Sequence, residues 1–292
     1  KETMFFETGS MRYGSRTTRE PGADRMGKFQ GKVVIVTGAS SGVGEACARQ
    51  FAAEGAITIL VARNKKKLAA LEKQIPGAKA YPADLSDPRV YDRLLKFAEK
   101  SGGVDVLVNN AGVNYRGAVQ EVEEDLGTII DLNLRAPVVL TQKALPYLMR
   151  SGGAVVNIAS LAGRFPLPDE ATYSGSKFGL RAFTLALSQE LKGTGVRASL
   201  VSPGPIETGF ILDEIDNVPP LVFSQPISTA DQVAALVLRS ALDGKPERVI
   251  PVSGGILATL AYLWPGLRNL LLPVLERKGR RVKEQYKARP SQ

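Results

Sequence analysis

Two residues are spaced for joint acid–base chemistry. Tyr173 and Lys177 lie four residues apart in a stretch of helical periodicity, so both side chains emerge on one helix face about one turn apart. A phenol has a pKa of about 10, and a nearby ammonium group favours its phenolate, which suits Tyr173 for general acid–base catalysis. Ser160 follows a predicted buried strand, where its hydroxyl can hold a substrate oxygen. The alternative is a surface Tyr/Lys pair with a helix-capping serine.

A glycine-rich turn joins the first predicted strand to the first predicted helix. Glycines let the backbone turn sharply, and the helix N-terminus offers free N–H groups and a partial positive charge. In this strand-turn-helix context the turn is predicted to bind the pyrophosphate of a dinucleotide, the alternative being only a tight loop. The candidate binding residues are Gly38, Ser40, Ser41, Gly42, Val43 and Gly44.

Short β-branched runs alternate with helical stretches from Lys32 onward, as the strand-crossover-strand units of a parallel sheet require. The runs are continuously apolar, which predicts strands buried on both faces. The predicted strands are Val33–Thr37, Ile57–Val61, Val104–Asn109, Ala154–Ala159, Val196–Val201 and Val249–Val252. The predicted helices lie near 43–54, 64–74, 87–100, 123–149, 173–192 and 230–242. The fold class is therefore α/β, a doubly wound parallel sheet (Rossmann fold) of six or seven strands in a single domain.

Further motifs follow along the same stretch of chain. They are Asn109-Asn110-Ala111-Gly112, Asn133, Ser160, Tyr173-xxx-Lys177 and Pro203-Gly204, after the glycine spacing Gly38-xxx-Gly42-x-Gly44. This ordered series resembles the short-chain dehydrogenase/reductase family over about residues 30–255. The resemblance implies an oxidoreductase that moves a hydride between a nicotinamide cofactor and an alcohol or ketone.

The resemblance also implies a role for each matching residue. The implied catalytic residues are Asn133, Ser160, Tyr173 and Lys177. The implied cofactor-binding residues beyond the glycine turn are Asp84 and Leu85 at the adenine, Asn110, Ala111, Gly112, Tyr173, Lys177, Pro203, Gly204, Ile206 and Thr208. Lys177 is expected to hold the nicotinamide ribose, and Thr208 the carboxamide. The positive nicotinamide of NADP⁺ is expected to favour the Tyr173 phenolate together with Lys177.

The tip of the second strand predicts which dinucleotide is bound. An acidic residue there accepts from the ribose 2′-hydroxyl of NAD, whereas an arginine accommodates the 2′-phosphate of NADP. Ala62 removes the carboxylate and Arg63 offers a planar guanidinium, so the predicted cofactor is NADP(H). The alternative is that Arg63 and Lys65–Lys67 form only a solvated helix start.

Asn133 lies four residues before Pro137 in a predicted helix. Proline has no N–H, so the Asn133 carbonyl loses its usual partner and is most simply satisfied by water. The resemblance implies that such a water passes protons towards Lys177, while the alternative is a simple helix kink.

Composition excludes several other classes of function. The chain has 292 residues, 44% of them hydrophobic, and its net charge is +9. The excess charge lies at the ends, with +3 over residues 1–32 and +6 over 264–292, so no nucleic-acid partner is expected. The chain has no histidine and a single cysteine, Cys47, so neither a metal site nor a disulfide framework is predicted. Cys47 is assigned to the core, and the protein to a reducing, cytoplasmic compartment.

Three segments are expected. Residues 1–30 form a flexible N-terminal segment with a tag-like Gly9-Ser10-Met11, 31–255 the catalytic domain, and 256–292 a C-terminal extension. The extension is predicted to be a proline-broken apolar helical arm with a basic end rather than a membrane span. The arm could cover the active-site mouth, pack on a partner subunit, or lie peripherally on an anionic membrane, and the sequence leaves these open.

The apolar segment after Pro203-Gly204 favours a lipophilic alcohol or ketone substrate, although its residues could instead only tether the loop. The predicted function is therefore an NADP(H)-dependent alcohol dehydrogenase or carbonyl reductase. The resemblance implies an interface through the helices at 123–149 and 173–192, and a homodimer is expected. The alternatives are a dinucleotide-binding sensor or scaffold without turnover, and an epimerase or dehydratase, which usually needs a larger C-terminal substrate domain.

Overall fold

The computed structural model describes residues 27–213 and 215–288, with the side chains of residues 265, 267 and 268 left out. A parallel sheet of seven strands runs through the described part of the chain. The strands are β1 (Val33–Thr37), β2 (Ile57–Ala62), β3 (Lys79–Pro82), β4 (Val106–Asn109), β5 (Ala154–Ile158), β6 (Arg197–Pro203) and β7 (Glu247–Ile250). Their order, β3-β2-β1-β4-β5-β6-β7, confirms the predicted doubly wound α/β fold in a single domain.

Helices cover both faces of the sheet. They are α1 (Gly42–Ala53), α2 (Lys65–Gln74), α3 (Tyr91–Lys100), α4 (Gly127–Ile130), α5 (Ala136–Ser151), α6 (Ala171–Glu190), α7 (Gly209–Leu212), α8 (Ala230–Asp243), α9 (Val252–Leu263) and α10 (Pro265–Lys287). Successive side chains of a strand point to opposite faces, so Val34 and Val36 pack with α1, α2 and α8. Val33 and Ile35 pack with α3, α5 and α6 on the other face. This two-sided burial explains the continuously apolar strands.

Cys47 lies in the core on α1 and is fully buried. Burial raises the pKa of its thiol, because the charged thiolate would lose its hydration. Cys47 therefore packs as a small apolar side chain, as the sequence predicts.

The long helix predicted near 123–149 is observed as α4, a π turn over Asp131–Arg135, and α5. Pro137 has no N–H to donate to the Asn133 carbonyl, so the regular ladder cannot continue at that point. The N–H of Ala136 instead bonds to the Asp131 carbonyl five residues back. The proline is thus accompanied by a local change of helix type.

The last strand differs from its predicted range, Val249–Val252. β7 ends at Ile250 because Pro251 cannot donate to the sheet ladder, and Val252 already begins α9. The domain boundary expected after Gly255 therefore falls inside α9.

The N-terminal boundary also differs from the expectation of a flexible segment through residue 30. Phe29 is buried, and its ring meets Phe51 of α1 edge-on with centroids 4.7 Å apart. The backbone N–H of Lys28 donates to the Glu54 carboxylate at 2.9 Å. Residues 27–30 therefore belong to the folded body, while residues 1–26, including Gly9-Ser10-Met11, lie outside the described residues.

The C-terminal helix α10 is fixed to the segment that follows β6. A Cβ added to Gly279 would come within 1.8 Å of the Pro220 carbonyl oxygen, so the helix and the 3₁₀ turn Pro220–Ser224 touch backbone to backbone. The Lys283 ammonium donates to the carbonyls of Asp216 and Val218, both at 2.8 Å. No described helix combines the length and apolar character needed to cross a bilayer.

We predict that Gly44→Ala destabilises the fold, because its Cβ would lie 2.2 Å from the backbone oxygen of Gly38, which cannot rotate away. Overpacking of this kind typically costs roughly 1–3 kcal/mol. Gly175→Ala is the matched control, since Gly175 is also helical and nothing lies within 4 Å of its added Cβ. Thermal unfolding should show a lower Tm for Gly44→Ala alone. Equal melting temperatures for both variants would contradict the tight approach of α1 to the glycine turn.

Candidate active site

A cavity of about 930 Å³ opens at the carboxyl edge of the sheet. The strand order reverses between β1 and β4, and open parallel sheets form their ligand crevice at such a point. Two predicted site residues, Gly44 and Asn133, lie outside the cavity lining. The predicted residues that do line it are Gly38, Ser40, Ser41, Gly42, Val43, Arg63, Asp84, Leu85, Asn110, Ala111, Gly112, Ser160, Tyr173, Lys177, Pro203, Gly204, Ile206 and Thr208.

The glycine turn enters the cavity between β1 and α1. Gly38 and Gly42 adopt positive φ angles of 66° and 56°, a backbone region that favours glycine. Ser41 is the N-cap of α1 in extended conformation, so the free N–H groups of the first helical turn follow it. Gly44 lies under the turn, where it allows the close approach of α1. This geometry fits the pyrophosphate of a dinucleotide.

A set of hydrogen bonds fixes the turn to the loop after β4. The Thr37 hydroxyl donates to the Val108 carbonyl at 3.1 Å and accepts from the N–H groups of Asn110 and Ala111 at 2.9 and 3.0 Å. The Asn110 amide donates back to the carbonyls of Thr37 and Gly38 at 2.9 and 3.3 Å. Thr37 was not predicted as a site residue, since a threonine that ends a buried strand shows no distinctive pattern in one sequence.

The tip of β2 forms a cationic edge of the cavity. Arg63 is exposed and lines the cavity beside Asn64 and Lys67. The Asn64 side chain accepts from the Lys67 N–H at 3.0 Å and so caps α2. Asp84 also lines the cavity, and its carboxylate accepts from the N–H and the hydroxyl of Ser86. Lys67 is thus a second cation at this edge, which the sequence analysis treated only as part of a solvated helix start.

Tyr173 and Lys177 face the cavity from one side of α6. The Lys177 ammonium lies 5.6 Å from the centroid of the Tyr173 ring and donates to the Ile158 carbonyl at 3.0 Å. Burial lowers the pKa of Lys177 to about 8. The Ser160 hydroxyl accepts from the Ala162 N–H at 3.1 Å and also hydrogen-bonds with the Tyr173 side chain. The three predicted side chains therefore meet at one point of the cavity.

The groups of the protein hold the pKa of Tyr173 above its ordinary value, while the expected lowering by Lys177 together with the positive nicotinamide stays a prediction. Burial is the main cause, and the negative charge of Glu170 adds to the rise. The hydrogen bond with Ser160 and the positive charge of Arg116 lower it in part. The groups of the protein therefore keep the phenol protonated at neutral pH, ready to donate.

Asn133 lies behind the cavity lining, in the π turn, and is 1% exposed. Its side-chain oxygen accepts from the Val113 N–H at 2.9 Å, and its amide donates to the Val113 carbonyl at 2.8 Å. The amide also reaches the Ser176 hydroxyl on α6 at 3.3 Å. The Asn133 side chain therefore ties the loop after β4 to α6, while the proton relay through its carbonyl stays a prediction.

A buried ion pair that the sequence analysis did not predict lies beside Tyr173. Arg116 Nε and Glu170 Oε1 are 2.9 Å apart, and the two side chains are 5% and 4% exposed. Burial raises the pKa of Glu170, and the charge of Arg116 lowers it in part. Arg116 also donates to the Phe210 carbonyl at 3.2 Å, and its guanidinium lies 5.3 Å from the centroid of that ring. No motif joins these residues in sequence, since they lie far apart along the chain.

The loop after β6 forms the opposite wall. The Gly204 N–H donates to the Ile250 carbonyl at 2.7 Å, and the Thr208 N–H to the Ile206 carbonyl at 2.8 Å. Ile206 bridges to Ser228, which anchors the returning end of the segment. Beyond this wall the lining becomes apolar and draws on the C-terminal arm. The apolar lining residues of this part are Phe210, Ile211, Leu221, Val222, Leu257, Ala258, Ala261, Leu271, Leu272 and Leu275.

Comparison with known proteins agrees with this geometry. The family model described as short chain dehydrogenase matches residues 32–217, more than half of the chain. The chain belongs to the short-chain dehydrogenase/reductase family. Dehydrogenase/reductase SDR family member 7B of Mus musculus is 31% identical over 268 residues, with 86% of this chain and 83% of that protein covered. An uncharacterized oxidoreductase of Staphylococcus epidermidis is 36% identical over 187 residues, with 63% of this chain and 81% of that protein covered.

Family membership makes the chain a dehydrogenase/reductase that acts on CH–OH or C=O groups of a small-molecule substrate. Its cofactor is a nicotinamide dinucleotide. The glycine turn, the cradle above Gly44 and the cavity volume fit that group.

We predict that Glu170→Gln shifts the activity profile to lower pH. The mutation removes a negative charge that raises the pKa of Tyr173 and keeps the positive charge of Arg116 that lowers it, so the Tyr173 pKa falls. The pH at which alcohol oxidation reaches half of its plateau should fall accordingly. The exposed neighbour Asp169→Asn is the matched control, because an asparagine tolerates its φ of 60°.

The same mutation breaks the buried ion pair of Arg116 and Glu170, and removing one partner of a buried pair typically costs about 3–5 kcal/mol of stability. The pH profile is therefore measured at a temperature where circular dichroism shows the variant folded. If folded Glu170→Gln kept the wild-type midpoint of the pH–activity profile, Glu170 would not influence the pKa of Tyr173.

Proposed function

We propose that the protein is an NADP(H)-dependent oxidoreductase that interconverts a lipophilic secondary alcohol and its ketone. The observation that carries the proposal is a single cavity that holds the glycine turn at one end, the Ser160–Tyr173–Lys177 cluster in the middle and apolar walls at the other end. A sensor or scaffold without turnover would need none of the three catalytic side chains in contact with the cavity.

The nicotinamide supplies and accepts the hydride when the dinucleotide is bound. The protein positions the reacting oxygen: the Ser160 hydroxyl hydrogen-bonds it, and the Tyr173 hydroxyl gives it a proton during ketone reduction. Burial keeps Tyr173 protonated for this step. Lys177 stabilises the phenolate that remains, because its ammonium lies over the same ring.

The preference for NADP(H) is supported by the cationic edge at the tip of β2. Ala62 places no carboxylate where a 2′-phosphate would lie, and Arg63 and Lys67 both line the cavity there. An arginine can bind phosphate with two parallel hydrogen bonds, which a lysine cannot.

The lipophilic substrate is supported by the walls that α9 and α10 add to the cavity. Leu257 and Ala261 come from α9, and Leu271, Leu272 and Leu275 from α10. Of the roles left open for the arm, forming one wall of the site thus has direct support. The homodimer through α5 and α6 stays a prediction.

We predict that Tyr173→Phe removes most turnover while leaving the fold and NADPH binding intact, since only the dissociable proton is lost. General acid–base assistance typically contributes roughly 10²- to 10⁴-fold in rate. NADPH oxidation with a panel of ketones measures kcat, and fluorescence titration measures cofactor binding. Tyr81→Phe, outside the cavity lining, is the control. Near wild-type kcat in Tyr173→Phe would overturn the assignment.

We predict that Arg63→Ala weakens NADPH binding more than NADH binding, because only NADPH carries the 2′-phosphate. Charge-assisted hydrogen bonds of this kind contribute about 1.5–3 kcal/mol, or roughly 10- to 100-fold in Kd. Lys66→Ala is the matched control, since Lys66 is an exposed cation on the same turn that does not line the cavity. An equal loss for both cofactors in Arg63→Ala would show that Arg63 is only a solvated side chain.

A further inference from the structure

The helices α9 and α10 carry apolar side chains on two opposite faces. Their inner faces line the cavity with Leu257 and Ala261 and with Leu271 and Leu275. Burial of these faces leaves the outer faces to solvent. A helix that closes a pocket in a soluble monomer normally shows polar residues on its outer side, so apolar outer faces call for an occupant.

The outer face of α9 is an apolar stripe. Val252, Ile256, Leu260 and Leu263 follow the spacing i, i+4, i+8, i+11, which places them on one side of the helix. Their exposed fractions are 67%, 58%, 48% and 71%. Trp264, at the junction with α10, is 69% exposed and extends the stripe. The stripe thus consists of four aliphatic side chains and one tryptophan, all exposed.

The outer face of α10 continues the stripe and then becomes cationic. Leu270 and Val274 are 73% and 65% exposed, and Arg277 and Arg281 follow on the same side at i+7 and i+11 from Leu270. Lys278 is exposed beside them. The two helices therefore present an outer face that is apolar along most of its length and positively charged at its C-terminal end.

This outer face is held in place by the body of the protein. Gly279 and Lys283 fix the opposite side of α10 to the segment around Pro220, as described above. Arg164, which follows β5, donates to the Thr259 hydroxyl on α9 at 2.9 Å. Neither helix can turn its outer stripe inward without breaking these contacts.

The combination of an apolar stripe, an interfacial tryptophan and neighbouring cations is complementary to an anionic lipid surface. A second copy that docked through the same face would bring the same positive charges to it, so charge complementarity favours an anionic lipid surface over such a pairing. The inner faces of the same helices form the apolar wall of the active site, which would give a membrane-dissolved substrate a short path into the cavity.

We propose that the outer face of α9 and α10 docks on the anionic surface of a lipid bilayer without crossing it, with the active-site wall next to the membrane. Only the benefit of docking rests on the proposed lipophilic substrate; the docking itself rests on the exposed stripe and its charges.

Vesicle flotation tests the proposal with the full chain. Phosphatidylcholine vesicles and vesicles with added phosphatidylserine are compared, and the protein should float with the anionic vesicles. Leu263→Asp and Val274→Asp should each lower the partition coefficient by about tenfold or more, because a charge replaces buried apolar surface. Leu242→Asp is the control, since Leu242 of α8 is also an exposed leucine, at 42%, but lies away from the stripe.

A charge reversal tests the cationic end separately. Arg277→Glu with Arg281→Glu should reduce binding to the anionic vesicles by about fivefold or more for each removed charge. Lys96→Glu with Lys100→Glu makes the same charge change on exposed positions of α3 and should bind like the wild type. Binding that responds equally to both pairs would overturn a specific docking face.

Two further measurements keep the docking proposal separate from the proposed function. Reduction of a short, water-soluble ketone should be the same in wild type, Leu263→Asp and Val274→Asp, since neither residue lines the cavity. A chain that floats but reduces no ketone would contradict the proposed function and leave the docking supported. Failure of the wild-type protein to float would overturn the docking. Sedimentation that shows a dimer in the wild type and a monomer in Leu263→Asp would also overturn it, since the stripe would then be a subunit interface.

Discussion

The Thr37 hydroxyl joins the carboxyl ends of β1 and β4, and the whole site depends on that joint. One side chain satisfies three backbone groups: the Val108 carbonyl and the N–H groups of Asn110 and Ala111. The joint lies where the strand order reverses, so the chain leaves β1 and β4 in opposite directions and a crevice opens between them. The turn and the loop, which line opposite sides of the crevice, are thereby fixed to each other.

Burial sets the electrostatics of the catalytic cluster within that frame. Desolvation disfavours charge, so it raises the pKa of Tyr173 and lowers the pKa of Lys177 to about 8. The two shifts act in opposite directions on an acid and a base, yet both reduce the charge that the cavity must hold. The buried pair of Arg116 and Glu170 adds one charge of each sign beside Tyr173, and its net effect depends on both members staying ionised.

Sequence predicted the parts of this protein that depend on local pattern. The continuous apolar runs placed the buried strands, and the glycine turn and Tyr173-xxx-Lys177 placed one end and the middle of the cavity. β3 was given no range, because Lys79–Pro82 lies at the sheet edge and is only half-buried, so its apolar pattern is weak. Arg116 and Glu170 were missed for a different reason: 54 residues separate them, and only the folded chain shows that they meet.

The polar residues of the site and its apolar wall come from different parts of the chain. The family model ends at residue 217, and the glycine turn, Ser160, Tyr173 and Lys177 all lie within the matched part. The apolar wall comes largely from α9 and α10 beyond it, although the mouse relative covers 86% of the chain and so extends past the family model. The shape of the apolar wall is therefore independent of the polar cluster, because side chains on α9 and α10 can change without altering the hydrogen bonds around Tyr173. Arg116 is the exception, since it contacts both the Phe210 carbonyl in the wall and Glu170 beside Tyr173. A change in the segment after β6 that moves Phe210 therefore acts on the Tyr173 phenol through the Arg116 guanidinium.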